Sequence, residues 1–266
     1  MNQFLSGEGK KLRKTITQIV NSGGASHIGT SFSCVEILNS IYNNVDVEKI
    51  KNNDPLRDRV IVSKGHSAAA VYTVLYHHGL MDLDTLQTYH QNGSLLSGHV
   101  SHFVEYIEHS TGALGHGLSV AVGCAMGLKR KGATSKVYVV LGDGELNEGS
   151  NWEAMMLASQ QKLDNLIVFV DDNKLGGIRK TSECCSIYPL FEKFTAFGFD
   201  CTTIDGHDEQ KLQQSIDETI MNGKPTAIVC DTIKGKGISF MENENVWHYR
   251  PVSEESMRES LAELEE

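Results

Sequence analysis

Two short polar segments follow apolar runs and carry residue types that bind cations and phosphates. Residues 142–149 read Gly-Asp-Gly-Glu-Leu-Asn-Glu-Gly, and residues 171–173 read Asp-Asp-Asn. The runs before them, residues 137–141 and 166–170, are apolar and rich in β-branched residues, which is typical of buried parallel strands. Since neighbouring parallel strands end at the same edge of a sheet, where ligands bind, the two polar segments are predicted to meet there.

Asp143 and Asn173 supply the chemistry of this predicted site. A carboxylate and an amide oxygen suit a hard divalent cation, and the glycines beside Asp143 let a phosphate approach backbone N–H groups. An ordinary turn is the plain alternative, because an isolated Gly-Asp-Gly tripeptide mostly forms turns. The strand before each segment, with Asn173 at the second strand end, favours the site for a cation and a phosphate.

The segments that must position these residues alternate between strands and helices. The predicted strands are 59–63, 137–141, 166–170 and Thr226–Asp231, and the predicted helices include 35–42, 68–78 and 152–163. This alternation predicts an α/β fold in which a parallel sheet is covered by helices on both faces. We interpret residues 1–266 as one domain, in which residues 253–266 form a C-terminal packing helix with a capping serine and one apolar face.

The composition excludes several classes of protein. Of the 266 residues, 40% are hydrophobic and 22% are charged, as in ordinary globular proteins. The formal net charge of −10 argues against nucleic acid or an anionic membrane as a partner. No stretch approaches the ~20 apolar residues of a membrane span, and the polar start Met1-Asn2-Gln3-Phe4 lacks a signal-peptide core. We therefore expect a cytoplasmic protein, and its unpaired cysteine spacing predicts free thiols.

Histidine stands beside glycine in three further segments, residues 24–31, 63–67 and 110–117. Glycine lets the backbone approach a ligand closely, and imidazole can donate to phosphate or hydroxyl oxygens. A single histidine of this kind is ordinarily structural. Several of them in a chain that also has the 142–149 segment indicate a functional site.

With these segments the chain resembles the amino-terminal, diphosphate-binding part of a transketolase. The matching segments are Ser-His-Ile-Gly-Thr-Ser at 26–31, Ser-Lys-Gly-His at 63–66, Ser-Thr-Gly-Ala-Leu-Gly-His-Gly-Leu-Ser at 110–119, the Gly-Asp-Gly…Asn motif, and Thr-Ile-Lys-Gly-Lys-Gly at 232–237 leading to Trp247-His248. They occur in the family's order over nearly the whole chain. The resemblance implies a thiamine diphosphate-binding fold, the PP domain, with thiamine diphosphate and Mg²⁺ or Ca²⁺ as cofactors.

The resemblance also implies individual contacts to the cation and the cofactor. Asp143 and Asn173 would ligate the cation through side-chain oxygens, and Leu175 through its backbone carbonyl. The residues implied in cofactor binding are His66, Gly112, Ala113, Leu114, Gly142, Asp143, Gly144, Glu145, Asn173 and His248. Within this set, His66, Gly144 and His248 would contact the diphosphate, and the backbone of 112–114 would line the cofactor rings.

The implied catalytic residues are His27, His66, His99, His248, Glu148 and Glu153. The imidazoles of His27, His99 and His248 would surround the carbonyl and hydroxyl groups of a ketose. Glu148 and Glu153 match an acidic network at an interface of the active site, although Glu153 also fits a plain helix-surface acid. Tyr249 departs from the family, where a glycine usually follows this last histidine, and its side chain is predicted to narrow the pocket.

The resemblance stops short of a complete enzyme. Transketolases activate thiamine diphosphate through a glutamate of the following, pyrimidine-binding domain, and no segment of this chain matches that domain. We therefore expect one half of a split transketolase, active only with a C-terminal subunit in an α2β2 heterotetramer. Such an enzyme transfers a two-carbon ketol unit from a ketose phosphate, or a free ketose, to an aldose.

Two other classes of protein remain open from the sequence. The α subunit of a 2-oxo acid dehydrogenase also carries Gly-Asp-Gly…Asn and depends on a separate partner chain. Ser-Lys-Gly-His at 63–66 and Gly-His-Gly at 115–117 favour transketolase over it. A non-catalytic binding protein that kept the fold is the second alternative.

Overall fold

A parallel sheet forms the centre of the protein in the computed structural model, which describes residues 5–265. Its strands are β1 (Arg59–Val62), β2 (Val137–Gly142), β3 (Leu166–Asp172), β4 (Asp200–Asp205) and β5 (Thr226–Asp231). They lie in the order β1-β2-β3-β5-β4, and every neighbouring pair is parallel. The predicted α/β class with a parallel sheet is confirmed. The predicted absence of a signal peptide rests on residues 1–4, which lie outside the described range.

Helices cover the sheet on both faces. Their bounds are α1 (Gly7–Ser22), α2 (Ile28–Asn44), α3 (Val47–Lys51), α4 (Ala68–His77), α5 (Leu83–Leu86), α6 (Gly117–Arg130), α7 (Gly149–Gln160), α8 (Thr181–Cys184), α9 (Leu190–Ala196), α10 (Glu209–Asp217) and α11 (Glu254–Glu265). Within residues 5–265, no helix is both long and apolar enough to cross a membrane.

The two faces of the sheet bury different cores because successive side chains of a strand point in opposite directions. In β3, Ile167 and Phe169 belong to one hydrophobic cluster with α1, α2, α4 and α10. Leu166 and Val168 belong to the other cluster, with α6, α7 and α9. Burial on both faces explains why residues 166–170 of β3 form a continuous apolar run rather than alternating with polar residues.

The C-terminal residues and the sheet edge differ in how well the sequence predicted them. The helix predicted from Ser253 onwards is α11, and it packs on α1, where Lys14 Nζ lies 2.6 Å from Glu265 Oε1. The strand β4 was missed. Its residues, Asp-Cys-Thr-Thr-Ile-Asp, are mostly half-buried at the edge of the sheet, so they lack the apolar run that marked the inner strands.

A buried charged network joins the first two helices to the segment after β5. Arg13 on α1 pairs with Glu36 on α2, and its Nε donates to the carbonyl oxygen of Lys236 at 2.7 Å. His207 lies beside Glu36, with Nδ1 3.1 Å from Glu36 Oε2, and its Nε2 accepts from Ile233 N at 2.9 Å. Burial opposes ionisation of Glu36, but Arg13 outweighs it and lowers the pKa of Glu36 to about 2.

Glu36→Gln is expected to destabilise the chain strongly, because it leaves the Arg13 guanidinium buried without a counter-charge. Breaking a buried pair in this way lowers the free energy of unfolding by about 3 to 5 kcal/mol. Since the folded pKa lies below the unfolded value of 4.5, the wild type loses this stabilisation as pH falls from 4.5 to about 2. Denaturation across this pH range should show a shallower acid limb for Glu36→Gln.

The exposed pair Glu48–Lys51 offers a matched control for that measurement. Glu48→Gln makes the same chemical change at the surface, where an ion pair contributes roughly 0 to 1 kcal/mol. Equal midpoints for the two variants would show that the buried pair does not stabilise the fold.

Candidate active site

A cavity of about 470 Å³ opens at the carboxyl edge of the sheet, where β2 and β3 end. Short 3₁₀ turns bring several of its residues into place, namely Gly65–Ser67, Gly144–Asn147 and Asn245–His248. Of the residues predicted for the site, those that line the cavity are His27, His66, His99, Gly112, Leu114, Gly142, Asp143, Gly144, Glu145, Asn173, Leu175 and His248.

Asp143 and Asn173 lie at neighbouring strand ends, as predicted. The end of β2 at Gly142 is in register with Asp171 on β3, and the Asp143 backbone N–H donates to the Asp171 carbonyl at 3.1 Å. Asp143 Oδ1 accepts from Gly144 N at 2.8 Å and Oδ2 from Thr181 Oγ1 at 3.2 Å. The Asp143 carboxylate is therefore held at the cavity wall by one short turn and by α8.

A buried ion pair fixes the orientation of the Asn173 amide. Asp171 is fully buried, and its Oδ2 pairs with Lys64 Nζ. The same Oδ2 atom accepts a hydrogen bond from Asn173 Nδ2 at 3.1 Å. Burial opposes ionisation, but Lys64 outweighs it and lowers the pKa of Asp171. Because the amide nitrogen of Asn173 donates to Asp171, the amide oxygen Oδ1 points away from Asp171. This oxygen accepts a hydrogen bond from Leu175 N at 3.1 Å.

Among residues 5–265, no cationic side chain forms an ion pair with Asp143, unlike Asp171 with Lys64. Burial, together with the nearby Asp171, raises the pKa of Asp143 to about 6. A carboxylate in this position favours a cation, which would restore the charge balance that burial removes. The cavity is therefore electrostatically suited to a divalent ion beside Asp143.

The donor set also fits Mg²⁺. Within residues 5–265, no three His, Cys, Asp or Glu side chains gather as a metal-binding group. Mg²⁺ is commonly held by one or two carboxylates, with its remaining positions taken by phosphate oxygens and water. One carboxylate from Asp143, one amide oxygen from Asn173 and the Leu175 carbonyl match that pattern better than they match zinc.

Imidazoles from four separate segments meet in the cavity. The centroid of the His27 ring lies 5.4 Å from that of His66, 5.7 Å from that of His99 and 4.9 Å from that of His248. His27 precedes α2, and its φ of 67° lies in the left-handed region. The backbone N–H of His27 donates to the backbone carbonyl oxygen of His248 at 3.1 Å. A non-glycine residue held there is strained, and such strain is concentrated at functional sites.

These imidazoles are neutral at neutral pH. Burial lowers the pKa of His27 to about 4 and that of His248 to about 3, and it also lowers the pKa values of His66 and His99. A neutral imidazole donates one hydrogen bond and accepts one. The cluster can therefore recognise hydroxyl and carbonyl groups by both donating and accepting.

Lys234 determines which nitrogen of His248 carries the proton. Its Nζ lies 2.9 Å from His248 Nδ1 and also donates to the carbonyl oxygens of Leu175 and Gly176, at 3.2 and 3.1 Å. Burial, then Lys64, lowers the pKa of Lys234 to about 8, so it is mainly charged at neutral pH. Since an ammonium group only donates, Nδ1 accepts and Nε2 of His248 carries the hydrogen.

The loop that contains Gly112 and Leu114 is tied to the ends of β1 and β2. Glu145 accepts from Gly115 N at 2.8 Å and from Gly142 N at 3.2 Å, and it also accepts from Ser63. Gly65 is required here, because a Cβ at that position would lie 2.4 Å from the Thr111 carbonyl oxygen. The Glu145 carboxylate therefore holds the loop in place, and its implied contact with the cofactor stays a prediction.

The structure leaves three predicted site residues out of the cavity. Ala113 lines a separate, smaller groove with His109 and His116 on the other side of the loop. Glu148 and Glu153 are exposed at the start of α7, and neither lines the cavity in the described part of the chain. Their predicted role at an interface requires a partner chain.

Several cavity residues were not predicted. Lys64 and Lys234 lie within the quoted segments, but nothing in a sequence shows that a lysine is buried, as both are at 1% exposure. Thr30, Thr181 and Cys184 also line the cavity.

Comparison with known proteins identifies the family. The family model of the transketolase thiamine diphosphate binding domain matches residues 9–264. One of the subunits of the apulose-4-phosphate transketolase of Actinobacillus succinogenes is 41% identical over 261 residues, covering 96% of this chain and 93% of the relative. One of the subunits of the 6-deoxy-6-sulfo-D-fructose transketolase of a Clostridium species is 34% identical and covers 98% of this chain and 95% of the relative.

Solved structures give the same result. The transketolase of Campylobacter jejuni superposes with a TM-score of 0.90 at 28% identity, covering 97% of this chain and 42% of that protein. The chain belongs to the transketolase family and carries its thiamine diphosphate-binding domain, as the N-terminal subunit of a split transketolase. Its length corresponds to that of the two relatives that are themselves transketolase subunits, and the match favours transketolase over the α subunit of a 2-oxo acid dehydrogenase.

Proposed function

We propose that this chain and a separate C-terminal subunit form a transketolase that moves a two-carbon ketol unit from a ketose to an aldose. The observation that carries this proposal is the cluster of four neutral imidazoles beside the Asp143–Asn173 edge of the same cavity. When bound, thiamine diphosphate supplies the carbon nucleophile and electron sink needed to cleave a bond next to a carbonyl. The chain's own residues bind and orient the cofactor and the sugar.

The diphosphate end of the cofactor would lie against the strand edge. Asp143, Asn173 and the Leu175 carbonyl would hold Mg²⁺ or Ca²⁺, which neutralises diphosphate charge and compensates the buried Asp143. His66 and His248 Nε2 would donate to diphosphate oxygens, and Lys234 would place a positive charge nearby. The Gly112 and Leu114 backbone would line the rings of the cofactor.

The sugar would occupy the side of the cavity where His27, His99 and His248 face one another. The neutral imidazoles of His27 and His99 can donate to the carbonyl oxygen and accept from hydroxyl groups of a ketose, while His248 would bound the sugar from the diphosphate side. The names of the relatives contain a sugar phosphate and a sulfonated sugar. We therefore propose that the donor ketose carries an anionic group. Residues of the partner subunit would bind that group.

The assembly follows from the incomplete site. The activating glutamate belongs to the pyrimidine-binding domain of the partner, and two-fold symmetry gives an α2β2 heterotetramer. Glu148 and Glu153, exposed at the start of α7, would lie at the contact between chains. We further propose that residues 1–266 form one PP domain and that the enzyme is cytoplasmic.

A product assay on the assembled enzyme tests this function. With a ketose phosphate and an aldose phosphate, we expect an aldose two carbons shorter than the donor and a ketose two carbons longer than the acceptor, without CO₂. Release of CO₂ from pyruvate or a branched 2-oxo acid, without ketol transfer, would assign the chain to the dehydrogenase class. Failure to bind thiamine diphosphate with the partner present would support a non-catalytic protein.

The histidines should divide into two groups by their kinetics. His27→Asn, which tolerates the left-handed backbone at this position, is expected to lower kcat by about 100-fold or more, because loss of one hydrogen bond to an oxygen that gains charge in the transition state costs about that much. Excess cofactor should not restore its activity. His66→Ala should mainly weaken cofactor binding, so that saturating thiamine diphosphate recovers most of the rate. Recovery of His27→Asn by cofactor would contradict its assignment to the sugar.

A further inference from the structure

Tyr249 places a large aromatic ring at the opening of the cavity. Its side chain lines the cavity while remaining 60% exposed. The ring centroid lies 4.6 Å from that of His248 and 6.1 Å from that of His27, in edge-to-face geometry. The ring therefore bounds the part of the cavity where the imidazoles face one another.

The tyrosine reaches across this opening to the segment after β3. A Cβ added to Gly177 would lie 2.7 Å from the Tyr249 hydroxyl oxygen and 3.5 Å from His248 Nε2. A methyl group at position 177 would overlap the hydroxyl unless the tyrosine shifted, so Gly177 and Tyr249 are in close contact. In the part of the chain that the structure describes, this contact joins the cavity wall after β3 to the wall beside His27.

We propose that Tyr249 is a specificity-determining residue that limits the size of the donor ketose. The inference rests on the proposed function, because it requires the cavity to accept a ketose beside His27 and His248. The Tyr249–Gly177 contact leaves no room for the ring to move towards Gly177. A donor whose chain extends past His248 would therefore meet the ring, whereas a shorter donor would not.

The expected size of the effect follows from pocket discrimination in general. A pocket that fits one methylene too tightly or too loosely changes kcat/KM by about 10- to 200-fold. Tyr249 has φ of −116° and ψ of −22°, which any L residue adopts, so alanine can replace it without backbone strain. A variant without the ring is therefore expected to fold and to accept a wider range of donors.

The test compares two ketose phosphates that differ by two carbons, with one acceptor and the assembled two-subunit enzyme. In Tyr249→Ala, the ratio of kcat/KM for the longer donor to that for the shorter should rise by at least about tenfold. Tyr249→Phe should keep the wild-type ratio, because it keeps the ring. The control is Phe191→Ala, which removes an exposed aromatic side chain on α9, outside the cavity, and should leave the ratio unchanged.

A substitution on the other side of the contact adds an independent readout. Gly177→Ala should displace the ring and change the donor ratio in the wild-type background, and it should have little further effect in Tyr249→Ala. An unchanged ratio in Tyr249→Ala would overturn the inference. A rise of the same donor ratio in Tyr249→Phe, to the value expected for Tyr249→Ala, would also overturn the inference, because it would assign selectivity to the hydroxyl group.

Failure of this inference differs from failure of the proposed function. A wild-type enzyme that transfers no ketol unit from either donor would refute the function itself. An active enzyme whose Tyr249→Ala variant only binds thiamine diphosphate more weakly, as measured by calorimetry, would make Tyr249 a cofactor contact and overturn the specificity role.

Discussion

Asp143→Ala is expected to reduce thiamine diphosphate affinity by at least about 100-fold in the presence of Mg²⁺. Loss of even an outer contact to a metal ligand costs roughly 10- to 100-fold in affinity, and Asp143 is the one carboxylate that we assign to the cation directly. Calorimetry on the assembled enzyme, with and without Mg²⁺, measures this effect. The Mg²⁺ dependence should be lost in the variant.

The fold should survive the substitution. Asp143 follows the end of β2 and lies at the cavity wall, and burial of its carboxylate raises the pKa to about 6. An ionised carboxylate in that environment opposes folding, so its removal should not lower the melting temperature of the ligand-free protein. Asp164→Ala, at the opposite end of β3, is the control with unchanged cofactor affinity. Wild-type affinity in Asp143→Ala would remove this residue from the site.

The isolated chain is expected to have no ketol-transfer activity and to gain it when the partner is added. Under the proposed function, the cavity would contact the diphosphate, cation and sugar, while the glutamate that activates the aminopyrimidine ring would come from the partner subunit. The assay compares this chain, the partner and their mixture on the same ketose and aldose. Robust turnover by this chain alone would refute the two-subunit proposal.

Assembly provides a second readout of the same prediction. The heterotetramer should have a mass of two copies of this 29.3 kDa chain plus two copies of its partner. Glu153→Lys reverses an exposed charge at the expected contact and should weaken assembly. Glu259→Lys makes the same change at an exposed position of α11, which packs with the cluster on the opposite face of the sheet from α7. Equal assembly by both variants would place the interface elsewhere than the start of α7.

The sequence by itself determined the sheet and the position of its ligand-binding edge. The inner strands contain continuous apolar runs, residues 137–141 and 166–170, because both of their faces are buried, and this pattern is visible without any tertiary information. Asp143 and Asn173 follow those strands directly, so their approach is a consequence of parallel pairing between neighbours. The edge strand β4 was missed for the opposite physical reason, since its partial exposure leaves no continuous apolar run.

The tertiary structure alone decided how charges and imidazoles pair in the cavity. Lys64 and Asp171 are 107 positions apart in the chain, and Arg13 pairs with Glu36 from a different helix. The meeting of His27 with His99 and His248 depends on crossovers and loops whose closure no local pattern encodes. Local sequence patterns report backbone preference and burial period, whereas burial of a particular lysine, the tautomer of His248 and the contact between Tyr249 and Gly177 arise only when distant segments pack together.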